Sequence, residues 1–325
     1  MLRLIDPYSA PELAEEFEIS FAQRGPSDAV DILVLQRGGW VGATLDDVHA
    51  CVRAVQLAGG KVIYDVDDNL LDTHLDPLTD MGLRHYRPVC QYLLREADRV
   101  TVSTSFLKDR CSRLNPHIEV LRNCINPARF GQPAETSDND VLTIGCWGLP
   151  THAQDLAAII QPLRGALSRM RPMARVVFCG VYRNSRLQDM LAGFATIERL
   201  EPVPEYAAFL RLMAEQRWDI GLAPLVRGEY ADCKSDIKLL EYGGFGIAGV
   251  FSEHPAYMTV KDGVTGLIAN GDRWTDAILR LARDTELRAR VAADAREYVW
   301  RERSISAGTP LLRDVLHRTL DGDKP

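Results

Sequence analysis

VLTIGCWGLPTHAQDLAAIIQPLRGALSRM, residues 141–170, is the stretch whose reading decides the fold. Its first eight residues are an apolar run of strand length that ends in glycine. From Thr151 to Met170 the apolar residues recur at three and four, the spacing of an amphipathic helix. A buried strand that runs through a short turn into a helix is half of a β-α-β unit. Gly145 and Gly148 flank the strand end, and Thr151 with Gln154 has the spacing of a capping box. The resulting ring of free amides suits a phosphate or a sugar hydroxyl, although an ordinary capped turn has the same pattern.

Outward from this unit the alternation repeats. Upstream, AVDILVLQRGGW (29–40) reads as a strand and TLDDVHACVRAVQLAG (44–59) as a helix with a glycine stop. KVIYDVDD (61–68) is a second strand, 69–82 is polar, and 86–97 is helical. Strand, short helix and strand follow at 98–104, 105–115 and 118–123. Downstream, strands are expected at 174–180, 197–203 and 218–225, and helices at 185–194 and 205–216. Residues 273–320 read as helical with a break at SAGTP (306–310). Such alternation implies parallel pairing through crossovers. PARFGQPAETSDND (127–140) has no periodicity and is rich in Pro, Gly, Ser and acids, the composition of a linker. The expected division is an abbreviated first domain (1–130), a linker (131–140), a second domain (141–300) and a terminal helix (301–325).

The 325 residues carry 38 basic and 45 acidic side chains, a net charge of −7 that gives no general attraction to nucleic acid. Seven cysteines are scattered without a CxxC pair, so neither a disulfide framework nor a zinc site is indicated and a reducing cytoplasm fits. The N-terminus turns acidic too early for a signal peptide, and no apolar run approaches the roughly 20 residues that span a bilayer.

KSDIKLLEYGGFGIAG (234–249) concentrates the chemistry. On a helix of about 100° per residue, Lys234, Lys238 and Glu241 fall within roughly 60° of arc. Two ammonium groups near a helix start oppose the macrodipole unless an anion lies between them, and a diphosphate would serve. The alternative is a solvated face with Lys238 and Glu241 paired at i,i+3. Glycine inside a helix costs about 1 kcal/mol relative to Ala, so GGFGIAG implies close approach of the backbone to something.

These segments, in this order, resemble the "glycosyl transferases group 1" superfamily of GT-B glycosyltransferases, particularly bacterial members associated with O-antigen and other surface polysaccharides. VIYDVDDNL, ADRVTVSTSFLKDRC and VLRNCIN resemble parts of its N-terminal domain. IGCWGLPTHAQDL, KSDIKLLEYGGFGI and DGVTGLIA resemble parts of its C-terminal domain, and the likeness extends from about 30 to 300. It implies an α/β fold of two Rossmann-like domains with parallel sheets facing across a cleft. The second domain would hold a nucleotide diphosphate sugar and the first a glycan or glycolipid acceptor. A final helix returning to the first domain is also implied.

Carried over residue by residue, Glu241 corresponds to the ribose-binding glutamate, and Lys234 and Lys238 to basic positions near the diphosphate. Gly148, Thr151 and His152 correspond to the loop facing donor and acceptor, with His152 as base or acceptor ligand. Tyr206, in EPVPEYAAFL, lies in the part that lines the base. The family's first glutamate, eight positions before Glu241, is Cys233 here, so Glu229, Asp232 or Asp236 must read the donor sugar. Asp65, Asp67 and Asp68 suggest either a DxD metal site or an acceptor-side base, Asp67 foremost, or a turn. Trp40 and Trp147 read as packing residues ahead of sugar platforms.

The expected reaction is transfer of a sugar, in surface-polysaccharide synthesis, with cations and helix amides stabilising the leaving phosphate. Neither a metal nor another cofactor is expected. The expected place is the cytoplasm, with room for peripheral association at the inner face of the membrane. A GT-B sugar-nucleotide epimerase and a catalytically silent nucleotide-sugar-binding subunit are the alternatives.

Overall fold

The computed structural model describes residues 3–71, 83–130, 141–149, 152–180 and 189–322. The linker segment 131–140, Thr151 and residues 185–188 of the expected 185–194 helix lie outside the described residues. Two compact units divide the chain: one of Met1–Cys124, Asp232–Ser235 and Ile305–Pro325, the other of Ile125–Ala231 and Asp236–Ser304.

The first unit is built on strands β1 (Ile32–Gln36), β2 (Lys61–Val66), β3 (Arg99–Val102) and β4 (Ile118–Val120), all parallel and ordered β1-β2-β3-β4. Between them run helices Leu45–Leu57, Leu83–Glu96 and Ser105–Cys111. The first starts where expected because Thr44 and Asp47 form a reciprocal capping box, in which the Thr44 hydroxyl accepts from the Asp47 amide at 3.1 Å. Its inward face, Val48, Val52 and Val55, packs on Val62, Tyr64 and Val66 of β2. On the other side of the sheet Leu312, Val315 and Leu316 of the C-terminal helix (Ile305–Asp321) pack with Leu13 and Ile63. The expected break at 306–310 falls earlier, at Arg303–Ser304. Gly308 and Pro310 lie near the start of the helix, and Gly308 is bare because a Cβ there would come within 2.7 Å of Cys124 Sγ.

The second unit carries a six-stranded parallel sheet, ordered β10-β9-β8-β5-β6-β7. Its strands are β5 (Thr143–Trp147), β6 (Arg175–Cys179), β7 (Thr196–Leu200), β8 (Ile220–Ala223), β9 (Ala248–Ser252) and β10 (Leu267–Ala269). From β5 the chain winds outward through β6 and β7, then returns to the other side of β5 as β8. Strand order therefore reverses between β5 and β8, and the crevice at their carboxyl ends is where open α/β sheets bind ligands. The first sheet has no such reversal among the described residues. Gly145 in β5 is bare for packing, since a Cβ there would run into the Trp218 ring. Among the described residues no helix is long and apolar enough to cross a membrane.

Candidate functional site

Helix Ile237–Phe245 begins later than its polar spacing suggests. Lys234 precedes it and belongs to the first unit, where its ammonium lies 3.9 Å from Asp68. Lys234, Lys238 and Glu241 therefore do not share one helical face, because Asp236 ends the preceding segment as the N-cap. The glycines also receive a different explanation. Gly243 and Gly244 are inside the helix, where a Cβ would come within 2.9 Å of the Ala295 carbonyl oxygen and 2.5 Å of the Phe130 ring, and Gly246 is the left-handed C-cap. The close approach is to the protein itself, chiefly to helix Thr285–Glu302.

Two polar side chains remain on the buried face of that helix. Lys238 is 5 % exposed; its ammonium donates to the Trp147 carbonyl and sits 3.9 Å from the centroid of that residue's indole. Trp147 in turn packs on Phe209, which neighbours Tyr206, so its ring is a packing surface. Glu241 is 1 % exposed, and among the described residues neither of its carboxylate oxygens closes a hydrogen bond. Burial pushes its carboxyl up to about 8, against the pull of the Lys238 charge and the Tyr206 hydroxyl. A buried acceptor left without donors costs on the order of 1–3 kcal/mol, so this carboxyl is a stored cost unless a ligand supplies donors.

Asp236 is committed to the protein. Its carboxylate accepts from Arg303 at 2.5 and 2.8 Å and from the Thr259 hydroxyl at 2.6 Å. Burial works against the Arg303 charge, but the bonds to Asp236 outweigh it and raise its pKa. Cys233 is buried among the apolar residues of the first unit, where it packs. Glu229 and Asp232 are the two ends of a four-residue helix that spans the division between units. Tyr206 opens helix Tyr206–Gln216, whose first amides are already capped by Glu205.

At the β5–β8 crevice, His152 is the N-cap of helix Ala153–Leu167. Its Nδ1 is 2.7 Å from Asp155 Oδ2, while Asp155 Oδ1 accepts the Val226 amide at 2.8 Å. Gly148 lies against the same imidazole, where a Cβ would come within 2.9 Å of the ring. Asp155 carried no sequence signal apart from its place three residues after His152.

In the first unit the acidic segment at the end of β2 and just after it is paired throughout. Asp65 accepts from Arg3, Gln36 and Thr101. Asp67 accepts from Arg37 at 3.1 and 2.8 Å, and Asp68 lies 3.4 Å from the same guanidinium. Arg37 has a left-handed backbone, φ 53°, rare for a residue with a Cβ; the Tyr64 hydroxyl donates to its carbonyl at 2.8 Å. All three carboxylates thus face cations or donors.

No family model matches the chain, and no curated protein matches it in sequence. Solved structures do resemble it. Anabaena Alr3699/HepE, in complex with UDP-glucose, is 13% identical with a TM-score of 0.65, over 88% of this chain and 78% of that one. Sucrose-phosphate synthase from Thermosynechococcus elongatus is 12% identical with a TM-score of 0.63, over 90% and 74%. TarM is 11% identical with a TM-score of 0.62, over 90% of this chain and 55% of that one. At these identities the likeness concerns the fold, and the fold is GT-B: two parallel α/β sheets, four-stranded and six-stranded.

Proposed function

We propose that the protein is a glycosyltransferase that takes a sugar from a nucleotide diphosphate donor held by the second unit, Ile125–Ala231 and Asp236–Ser304. The observation that carries this reading is the Glu241 carboxyl, buried and, among the described residues, without a hydrogen bond in a GT-B fold. A ribose presents two adjacent hydroxyls, and these are the donors that both oxygens of one carboxylate can accept. Lys238, one turn earlier and with its charge felt by Glu241, supplies the cation for the diphosphate. The UDP and UDP-glucose bound in the HepE structures support the same donor class.

Charge on the leaving diphosphate grows as the glycosidic bond breaks, and fixed dipoles and cations aimed at it usually stabilise the transition state more than any other effect. The sequence resemblance supports a glycan or glycolipid acceptor, cell-surface polysaccharide synthesis at the cytoplasmic face of a membrane, and a reaction that needs no metal. Asp67, held by Arg37, is the acceptor-side base in this reading.

The test is a thermal-shift panel of UDP, GDP, dTDP, ADP and CDP on wild type and Glu241→Ala. A ligand at 100 times its Kd adds about 2.7 kcal/mol to the folded state, so one base should raise Tm by several degrees in wild type and much less in the variant. A flat panel, with sugar nucleotides left intact over a day, would refute the reading.

A further inference from the structure

The His152–Asp155 pair has the parts of an oriented acid–base group. The carboxylate is 8 % exposed, one oxygen meets Nδ1 at 2.7 Å, and the other is pinned at 2.8 Å by the Val226 amide. Those contacts come from two different loops, the one that follows β5 and the one that follows β8, so the pair is stitched across the point where strand order reverses. Bare backbone at Gly148 lets the ring's Cδ2 edge lie against the end of β5. A carboxylate held at both oxygens loses the freedom to turn away from its imidazole, the arrangement by which an orienting acid fixes a catalytic histidine.

We propose that Asp155 is a positioning residue for His152, holding the Nδ1 proton so that Nε2 is the nitrogen that meets the donor. In the charged ring Nε2 bears a proton and donates to an anionic oxygen of the diphosphate; it forms no bond to carbon. The inference rests on the nucleotide-sugar reading for its ligand and on geometry for its pairing. It also adds the imidazolium to Lys238 as a cation for the diphosphate, beside the contacts that the Lys238 ammonium makes with Trp147.

Among the described residues the Cys146 thiol and the Tyr257 hydroxyl also feel the Asp155 charge, and both are raised by burial, Cys146 to about 11. Neither changes charge between about pH 5 and 9. Lys238, which is coupled to Cys146, is unaltered in every variant.

The experiment follows the His152 imidazole by NMR titration in wild type and Asp155→Asn, with His152→Gln to assign the signal, and measures UDP affinity across the same pH range. Asparagine keeps an acceptor for the Val226 amide, so the fold should survive; Asp155→Glu is the charge-preserving control. Since an opposite charge at this range raises a histidine by about 1–3 pH units, the midpoint should fall by at least about 1 pH unit in Asp155→Asn and largely recover in Asp155→Glu. The alkaline limb of UDP affinity should move down with it. An unmoved midpoint would overturn the proposal, as would weaker binding at every pH with an unmoved limb, the mark of a purely structural residue. If the midpoint moves while wild type binds neither UDP nor any other nucleotide of the panel, the pairing stands and the nucleotide-sugar reading fails.

Discussion

Arg303 and Asp236 form a bidentate ion pair, with nitrogens 2.5 and 2.8 Å from the two carboxylate oxygens and side chains 4 % and 7 % exposed. It joins the residue just before the C-terminal helix to the N-cap of the helix that carries Lys238 and Glu241. Removing one partner leaves the other charged in a buried site, which typically costs about 3–5 kcal/mol. Arg303→Met should therefore lower the unfolding free energy read from urea titration by an amount of that order. Adding Asp236→Asn to it should restore part of the loss, since the orphaned charge is then gone. A single variant within about 1 kcal/mol of wild type would show that the pair does not hold this helix.

The glycines of the same helix give a second prediction. At Gly243 a methyl group meets the backbone of Ala295, 2.9 Å to its oxygen, and Val299 Cγ2 at 2.8 Å. Helix propensity favours alanine by about 1 kcal/mol, whereas overpacking against a neighbour's backbone costs roughly 1–3 kcal/mol. The clash should win, because a main-chain oxygen has no rotamer to retreat to. Gly243→Ala is expected to lower Tm, and a raised Tm would mean that the two helices move apart at little cost.

Much of the fold is legible in the sequence. Among the described residues, the alternation of apolar runs and helical spacing locates eight of the ten strands, most plainly β3, β5, β6 and β8, because a strand buried on both faces leaves a continuous apolar signature. Strands β9 and β10 escape notice: Ala248–Ser252 follows the glycine run directly, and Leu267–Ala269 has only three residues. Lys238 and Glu241 can be placed on a helix, but the N-terminal boundary that excludes Lys234 depends on a tertiary partner, Arg303, 67 residues from Asp236. The glycines announce a close approach without naming it, since the identity of the neighbour is a property of packing. Asp155 is invisible for a similar reason: its contact to the Val226 amide spans 71 residues.

Glu241 makes stability depend on pH in a defined direction. Its carboxyl titrates at about 8 in the fold against an ordinary value of 4.5. Between those values the unfolded chain has lost the proton that the folded chain keeps, so this group's contribution is full below about 4.5 and declines as pH rises to about 8. At about 1.36 kcal/mol per pH unit, the decline is at most about 5 kcal/mol. Glu241→Gln, which mimics the neutral form, should flatten that part of the urea-midpoint profile. Identical slopes in both proteins between about pH 5 and 8 would show that the carboxyl is ionised in the empty fold.

Lys238 supplies the sharpest separation of architecture from binding. Its ammonium is buried on the carbonyl and ring of Trp147, and its charge opposes the upward shifts of Glu241, Cys146 and Cys179. Lys238→Met keeps a flexible stem of similar length and removes the cation. The fold loses one hydrogen bond and a cation–π contact but is relieved of a buried charge, so these changes largely offset and Tm should move by only a few degrees. The Glu241 carboxyl, deprived of its nearby cation, should titrate higher still. A diphosphate loses a charge-assisted contact worth about 1.5–3 kcal/mol, a weakening of roughly 10- to 150-fold for whichever nucleotide the panel selects. Calorimetry on the variant decides between two outcomes. Weakened binding with Tm preserved assigns the lysine to the ligand, whereas unchanged affinity with a large drop in Tm assigns it to the support of Trp147.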